Sequence, residues 1–167
     1  DHLAQPRDGK HKDRPGRFPT IAELRVMTCL CLIHGADGLI YYCYHDLLRD
    51  PASFERHWSD MVQVGREVRQ LEPALVSARG TPPLQIQTDA PAVQWAARRD
   101  DSGKAFILMP NPDTDHSATV RAPVPPGAKA RLLRGTAPIA ASDGEVELPP
   151  MGAATVIIER APPGREM

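Results

Sequence analysis

One short stretch of the chain combines residue types that could bind a ligand. In GLIYYCYHD, residues 38–46, a glycine opens an apolar run with three tyrosines, and His45 and Asp46 close it. Tyrosine offers a flat apolar ring with one hydroxyl, and imidazole can donate or accept a hydrogen bond. This change from apolar to polar residues is typical of the end of a buried strand, where α/β proteins carry their binding groups. The alternative is that the tyrosine rings pack against flanking helices, which we expect for Tyr41 and Tyr42.

The other titratable residues near this stretch have structural explanations. Glu23 and Glu72 lie at the ends of predicted helices, while Asp46 and Asp50 lie in a loop and at a helix cap. His34 precedes a glycine at a helix end, where a cation suits the helix dipole. We therefore assign no catalytic role to any of them.

No motif predicts a metal or a cofactor. Cys29, Cys31 and Cys43 stand in apolar runs without the paired spacing of a zinc site, so we predict free thiols buried as small hydrophobic groups. The chain has no glycine-rich phosphate loop, no Gly-x-Ser-x-Gly elbow and no His-Glu-x-x-His.

The composition is that of an ordinary globular chain, with 167 residues, 41% hydrophobic and 25% charged. A net charge of −1 predicts no nucleic-acid partner, and no apolar run approaches the roughly 18 residues of a membrane span. The polar opening run DHLAQPRDGKHKDRPGR is typical of the inside of a long loop, so we expect a piece of a longer protein. The compartment stays open between the cytoplasm and the periplasm or the exterior.

The first half of the chain is predicted to form an α-β-α unit. Helices are expected over residues 20–34 and 51–72, and a strand is expected over 38–44. The tetrapeptide TIAE at 20–23 fits a capping box, and Pro73 is expected to close the second helix. The strand is apolar on both faces, which is typical of a parallel sheet covered by helices.

The second half is predicted to be an antiparallel β-sandwich. Short alternating runs recur about every ten residues and are separated by proline, glycine and aspartate turns. Asp101-Ser102-Gly103 is a candidate hairpin turn, and Trp95 is expected in the core. The seven expected strands are Leu84–Thr88, Ala92–Arg99, Lys104–Met109, Ser117–Ala122, Ala128–Arg134, Glu145–Leu148 and Ala153–Glu159.

The segment RFPTIAELRVMTCLCLIHGADGLIYYCYHDLL, residues 17–48, resembles the last turn of the (β/α)8 barrel in glycoside hydrolases. The similarity lies in Arg-x-Pro-Thr, then Glu-Leu-Arg, then a helix ending in His-Gly-Ala-x-Gly, then an apolar and aromatic strand. Family 42 β-galactosidases and related clan A barrels are most similar, and in them a β-sandwich commonly follows the barrel. Over the sandwich the resemblance is one of architecture only.

The resemblance implies a fold that is α/β plus all-β, in which the last α-β-α segment of a TIM barrel precedes an antiparallel β-sandwich. Residues 1–75 would supply barrel helix 7, strand 8 and helix 8. Residues 76–83 would be a linker, 84–160 the sandwich and 161–167 a disordered tail.

The resemblance also implies hydrolysis of O-glycosidic bonds, with a carbohydrate substrate, no cofactor, and the remainder of the barrel as partner. Tyr44 would form a floor for the sugar ring at the end of strand 8, with His45 beside it. Arg17 would face the substrate from the loop after strand 7, or would be a solvated loop arginine. The two catalytic carboxylates would end strands 4 and 7 and would precede residue 1, so none is assigned here.

Two other functions stay open at this point. The chain could be a non-catalytic carbohydrate-binding or interaction sandwich with an α/β appendage, which a row of exposed aromatic residues on one sandwich face would favour. It could also belong to a barrel of another enzyme class, because a fold does not fix a function. Glutamates ending two earlier strands would instead favour the hydrolase.

Overall fold

The computed structural model describes residues 17–36, 38–41, 44–48, 52–78, 80–134, 137–140 and 144–160. Within them, helices cover one face of a five-stranded antiparallel sheet, and a three-stranded antiparallel sheet packs on the other face. The helices are α1 (Ile21–Ile33), α2 (Tyr44–Leu47) and α3 (Phe54–Leu75). The strands are β1 (Gln87–Thr88), β2 (Ala96–Arg99), β3 (Ala105–Asn111), β4 (Ala118–Arg121), β5 (Ala128–Arg134), β6 (Ala137–Ala140), β7 (Glu145–Leu148) and β8 (Gly152–Arg160).

Helix α1 begins and ends with the signals that its sequence predicts. Thr20 is the N-cap, and the reciprocal hydrogen bonds of the capping box with Glu23 are both formed. At the other end Gly35 has a φ of 90°, and its N–H donates to the carbonyl of Leu32. The N–H of Ala36 donates to the carbonyl of Cys31, which completes a Schellman motif and satisfies two terminal carbonyls.

Helix α3 differs from its prediction at both ends. Its N-cap is Ser53, whereas the expected cap Asp50 lies outside the described residues. At the other end the helix continues past Pro73 to Leu75, so the expectation that this proline closes it is wrong. Proline removes one backbone hydrogen bond from a helix interior. Beyond the proline, Ala74 is buried against the sheet, and this packing stabilises the end of the helix.

The strand expected over residues 38–44 is not formed. Residues 38–41 have no regular secondary structure, and Tyr44 begins the four-residue helix α2. A strand needs a neighbour to receive its backbone hydrogen bonds, and no described strand pairs with this segment. The local hydrogen bond from the N–H of Leu48 to the carbonyl of Tyr44 is made instead.

The antiparallel sandwich is confirmed, with every predicted run contributing a strand. The five-stranded sheet has the order β2-β3-β8-β5-β6 and the three-stranded sheet the order β1-β4-β7. The strands formed by the first two runs are shorter than expected, and β6 was not predicted. Trp95 precedes β2 with 38% of its surface exposed, so its expected place in the core is wrong. The expected hairpin joins β2 to β3, where Gly103 has a φ of 89° and Asp100 accepts hydrogen bonds from Ser102 and the N–H of Lys104.

Strand β3 is buried over its whole length because both faces of its sheet are covered. Successive side chains point to opposite faces, so Ile107 and Met109 enter the core between the sheets while Phe106 and Leu108 face the helices. Its neighbour β8 divides in the same way, with Val156 in the first core and Ile157 in the second. The core under the helices contains Cys29, Leu32, Leu71, Ala74, Phe106, Leu108, Leu133 and Ile157.

We expect Gly144→Ala to destabilise the fold. Gly144 has a φ of 70°, and an added Cβ would lie 2.0 Å from the carbonyl oxygen of Ala122. The left-handed backbone alone costs an alanine roughly 1–2 kcal/mol, and the contact adds to it. Gly65→Ala is the control, because Gly65 lies in α3 with nothing within 4 Å of the added carbon. Alanine should stabilise that helix by about 0.5–1 kcal/mol. Urea titrations that gave the two variants equal midpoints would contradict this account of Gly144.

Candidate functional site

Three aromatic side chains, Tyr44, Phe54 and Trp58, form a cluster at the beginning of α3, here called the aromatic cluster. Phe54 and Trp58 are four residues apart on one helix face, and their rings are parallel within 6° at a centroid distance of 6.3 Å. Tyr44 meets both edge-on, with centroids 5.8 Å from Phe54 and 6.0 Å from Trp58. Tyr44 is 52% exposed and Trp58 43%, so the cluster presents aromatic surface to solvent.

Surface aromatic rings of this kind can bind a partner with an apolar face and polar edges. The rings contribute flat packing area, and the tyrosine hydroxyl and the indole N–H contribute hydrogen-bonding groups. Of the three, only Tyr44 is a site residue predicted from the sequence. Phe54 and Trp58 carry one signal in the sequence, which is their four-residue spacing on the predicted helix.

Arg17 lies at the start of α1 and forms an ion pair with Glu23. Glu23 is also held by the backbone N–H of Thr20 at 2.7 Å and by its hydroxyl at 3.0 Å. The hydrogen bond from Arg17, followed by that from the Thr20 backbone, lowers the pKa of Glu23 to about 2. The guanidinium of Arg17 is thus neutralised within the helix cap, although its side chain remains 68% exposed.

The structure connects two of the three predicted site residues to the same end of α3, through different contacts. Phe18, the neighbour of Arg17, contacts the ring of His57 at a centroid distance of 4.5 Å with the ring planes tilted by 30°. Tyr44 contacts the next residue, Trp58. His45 is the second residue of α2, and its side chain lies outside the described part of the structure. Binding roles for Arg17, Tyr44 and His45 stay predictions.

Tyr41 behaves as the packing residue that the sequence predicts. Its hydroxyl lies 2.6 Å from that of Thr28 on α1, and burial raises its pKa. This hydrogen bond ties the segment 38–41 to α1. Tyr42, expected to pack in the same way, lies outside the described residues.

Many described carboxylates have partners that give them structural roles. Arg25 donates to both carboxylate oxygens of Glu67 at 2.9 and 3.2 Å through Nε, and to one of them at 2.6 Å through Nη2. This pair joins α1 to α3. Other carboxylates with charged or hydrogen-bonding partners are Asp100, Asp113, Glu145 and Glu159.

The two described cysteines differ in their exposure to solvent. Cys29 is buried as expected, and burial raises its pKa to about 12, so its thiol is neutral and unreactive. Cys31 is free but exposed, so its predicted burial is wrong, because it occupies the side of α1 away from the sheet. Cys43 lies outside the described residues.

The described residues contain no group of three histidine, cysteine, aspartate or glutamate side chains placed to hold a metal ion. None of the helices in the same residues is both long and apolar enough to cross a membrane. Comparisons with protein-family models, with curated proteins and with solved structures found no match.

The capping box should make stability depend on pH through Glu23. Because the pKa of Glu23 is lowered from 4.5 to about 2 on folding, its contribution is present above pH 4.5 and is lost as the pH falls towards 2. In Glu23→Gln the amide keeps the cap geometry but does not titrate. The stability difference between wild type and Glu23→Gln, measured by urea unfolding, should therefore shrink between pH 5 and pH 2. A difference that stayed constant over this range would show that Glu23 is not held in this way.

Proposed function

We propose that the chain is the C-terminal part of a (β/α)8-barrel glycoside hydrolase that cleaves O-glycosidic bonds, with its catalytic carboxylates on a preceding segment. One observation carries the proposal beyond the sequence resemblance. The apolar segment 38–41 follows α1 and precedes α3 in the chain, Tyr41 contacts α1, and no strand among the described residues pairs with the segment. One βα unit separated from its barrel is expected to show this arrangement, in which two helices flank an apolar segment that lacks strand neighbours.

Exposed apolar side chains support the same proposal. Ile40, in the unpaired segment, is 94% exposed, and leaving such a side chain in water forgoes about 1.5–3 kcal/mol of burial. Others occur on or between the two helices, and where such side chains form a continuous patch they are typical of an interaction site. They are Met27, Tyr44, Leu48 and Trp58. In the proposed enzyme, neighbouring barrel strands would pair with 38–41 and cover part of this surface.

The proposed substrate role of Tyr44 rests on its place in the aromatic cluster. The C–H faces of a sugar ring pack on aromatic rings, while sugar hydroxyls take hydrogen bonds from groups such as a tyrosine hydroxyl. At the mouth of a barrel, the ring of Tyr44 would form the floor of the sugar site, with His45 next to it. Arg17 would bind substrate there only by breaking its ion pair with Glu23, or by keeping that ion pair while it also contacts the substrate.

The alternative of a carbohydrate-binding sandwich lacks the feature that would favour it. Residues 84–160 contain two aromatic residues, Trp95 and Phe106. Phe106 is buried under the helices, and Trp95 is partly exposed, so together they make no exposed row.

The decisive experiment is to read the coding DNA directly before the codon for Asp1. The proposal expects an open reading frame with further βα units and a glutamate at the ends of two of its strands. An in-frame stop codon, or upstream sequence without such units, would overturn the proposal.

The chain by itself should hydrolyse no glycoside. Retaining glycosidases need two carboxylates about 5–5.5 Å apart, and we assign neither to this chain. The purified 167-residue chain, incubated with a chromogenic galactoside, should release dye at the rate of the buffer blank. Turnover that an Asp or Glu substitution within the chain abolishes would contradict the assignment.

In the complete enzyme, Tyr44→Ala should lower kcat/KM. Losing a stacking surface and one hydrogen bond is worth on the order of 1–3 kcal/mol. This corresponds to a loss of about 5- to 150-fold in kcat/KM. Tyr44→Trp should lose far less because the flat ring is kept, whereas Tyr41→Ala should lower the Tm instead. Full kcat/KM for Tyr44→Ala at an unchanged Tm would place Tyr44 away from the sugar.

A further inference from the structure

A cavity of about 500 Å³ lies between α1, α3 and the sheet, separate from the aromatic cluster. Two helical stripes form facing walls, one including Ala22, Cys29 and Leu32 on α1, the other Val64 and Leu71 on α3. Spacings of three, four and seven residues place each stripe on one side of its helix. The cavity has the size of a small-molecule site, for which 300–1,000 Å³ is typical.

The third wall comes from the sheet and from the turn before β8. Leu133 of β5 contributes to it, together with residues 147–155. Backbone hydrogen bonds fix this turn, because the N–H of Met151 donates to the carbonyl of Asp113 at 2.8 Å and that of Gly152 to Pro149 at 2.9 Å. Pro149 is exposed, so the cavity opens to the surface along the turn.

Contacts at two levels fix the position of α1 relative to α3. The bidentate Arg25–Glu67 pair spans α1 and α3 on the cavity lining, and Gln63 also donates to Glu67 at 3.3 Å. Deeper in, Leu32 and Leu71 pack against the sheet. The site is therefore preformed, which lowers the ordering cost of binding.

The lining selects a chemical class of ligand. Its described residues include leucine, valine, alanine, proline, methionine and cysteine side chains, with Thr28, Gln63 and Thr155 as neutral polar groups. They include no aromatic ring, so they offer aliphatic packing with a few hydrogen-bonding groups and no stacking surface. The charged groups among its described residues are Arg25, Glu67 and Glu147. Glu67 neutralises Arg25, and Glu147 leaves an excess negative charge among these groups, which disfavours an anion.

We propose that this cavity is a binding site for an uncharged aliphatic molecule, such as a medium-chain alcohol. The proposal does not rest on glycoside hydrolysis and concerns a different face of the helices. It is tested on the 167-residue chain without carbohydrate, so its failure and the failure of the proposed function are distinguishable.

The test follows methyl NMR signals of the chain titrated with 1-octanol and, separately, with octanoate. Octanol should shift the methyl signals of Leu32, Val64, Leu71 and Leu133 in a saturable manner. Octanoate should bind about tenfold more weakly or less, because its carboxylate meets Glu67 and Glu147. Octanol that shifts none of these signals up to its solubility limit overturns the proposal, and equal affinities for the two probes overturn the assigned ligand class.

A matched pair of variants locates the binding. Ala22→Phe puts a ring into the cavity and should weaken octanol binding about tenfold or more. Met27→Phe adds the same ring to the opposite side of α1, where Met27 is 54% exposed, and should leave the affinity unchanged. Thermal melts check that both variants fold. Equal octanol affinities in folded Ala22→Phe and Met27→Phe would place binding elsewhere and overturn the site.

A third variant tests the charge argument without filling the cavity. Glu67→Gln keeps an oxygen for Arg25 but removes one negative charge from the lining. The affinity for octanoate should then rise about tenfold relative to that for octanol. A purely structural role for Glu67 would not change this ratio, and an unchanged ratio in the folded variant contradicts the proposed selectivity.

Discussion

The five-stranded sheet is apolar on both faces, and the rest of the structure depends on covering it twice. Strand β3 has no exposed position, because its alternate side chains enter two different cores. Removing apolar surface from water is the main favourable contribution to folding, so a sheet with two such faces requires a layer on each side. The three-stranded sheet covers one face, and α1 and α3 cover the other. The helices and the sandwich therefore share a core through Phe106, Leu108 and Ile157.

Packing on the sheet fixes the orientation of the helices. It therefore also decides which of their side chains face away from the sheet. The side of α1 that carries Cys29 and Leu32 faces the sheet, so Met27 is directed outward. The same packing sets the separation of α1 and α3, across which Arg25 reaches Glu67. The aromatic cluster and the cavity are thus both consequences of how two helices lie on an apolar sheet face. The cluster is open to solvent at one end of α3, and the cavity lies between the helices and the turn before β8.

Packing against the sheet overrides local sequence preferences in part of the structure. Proline inside α3 removes a hydrogen bond, but Leu71 and Ala74 on either side of Pro73 are buried against the sheet. The segment 38–41 shows the opposite situation, in which a strongly apolar sequence finds no strand to pair with among the described residues. Tyr41 is partly buried by its contact with Thr28, while Ile40 is not covered. This contrast within four residues is what motivates the proposed barrel neighbours.

The sequence by itself determined the features that depend on near neighbours in the chain. The capping box at Thr20, the left-handed Gly35, the β2–β3 hairpin and the runs that became β5 and β7 all follow from local chemistry and periodicity. Tertiary structure decided the remainder. An apolar run at 38–44 is compatible with a buried strand, but a strand forms only where a neighbour supplies hydrogen bonds. The sequence does not distinguish Phe54 and Trp58 from the other apolar residues of the predicted helix. Only the position of Tyr44 in the folded structure brings the three rings together as a cluster. The cavity has no local signal, because its walls come from α1, α3 and β8, which meet only after the sheet is covered.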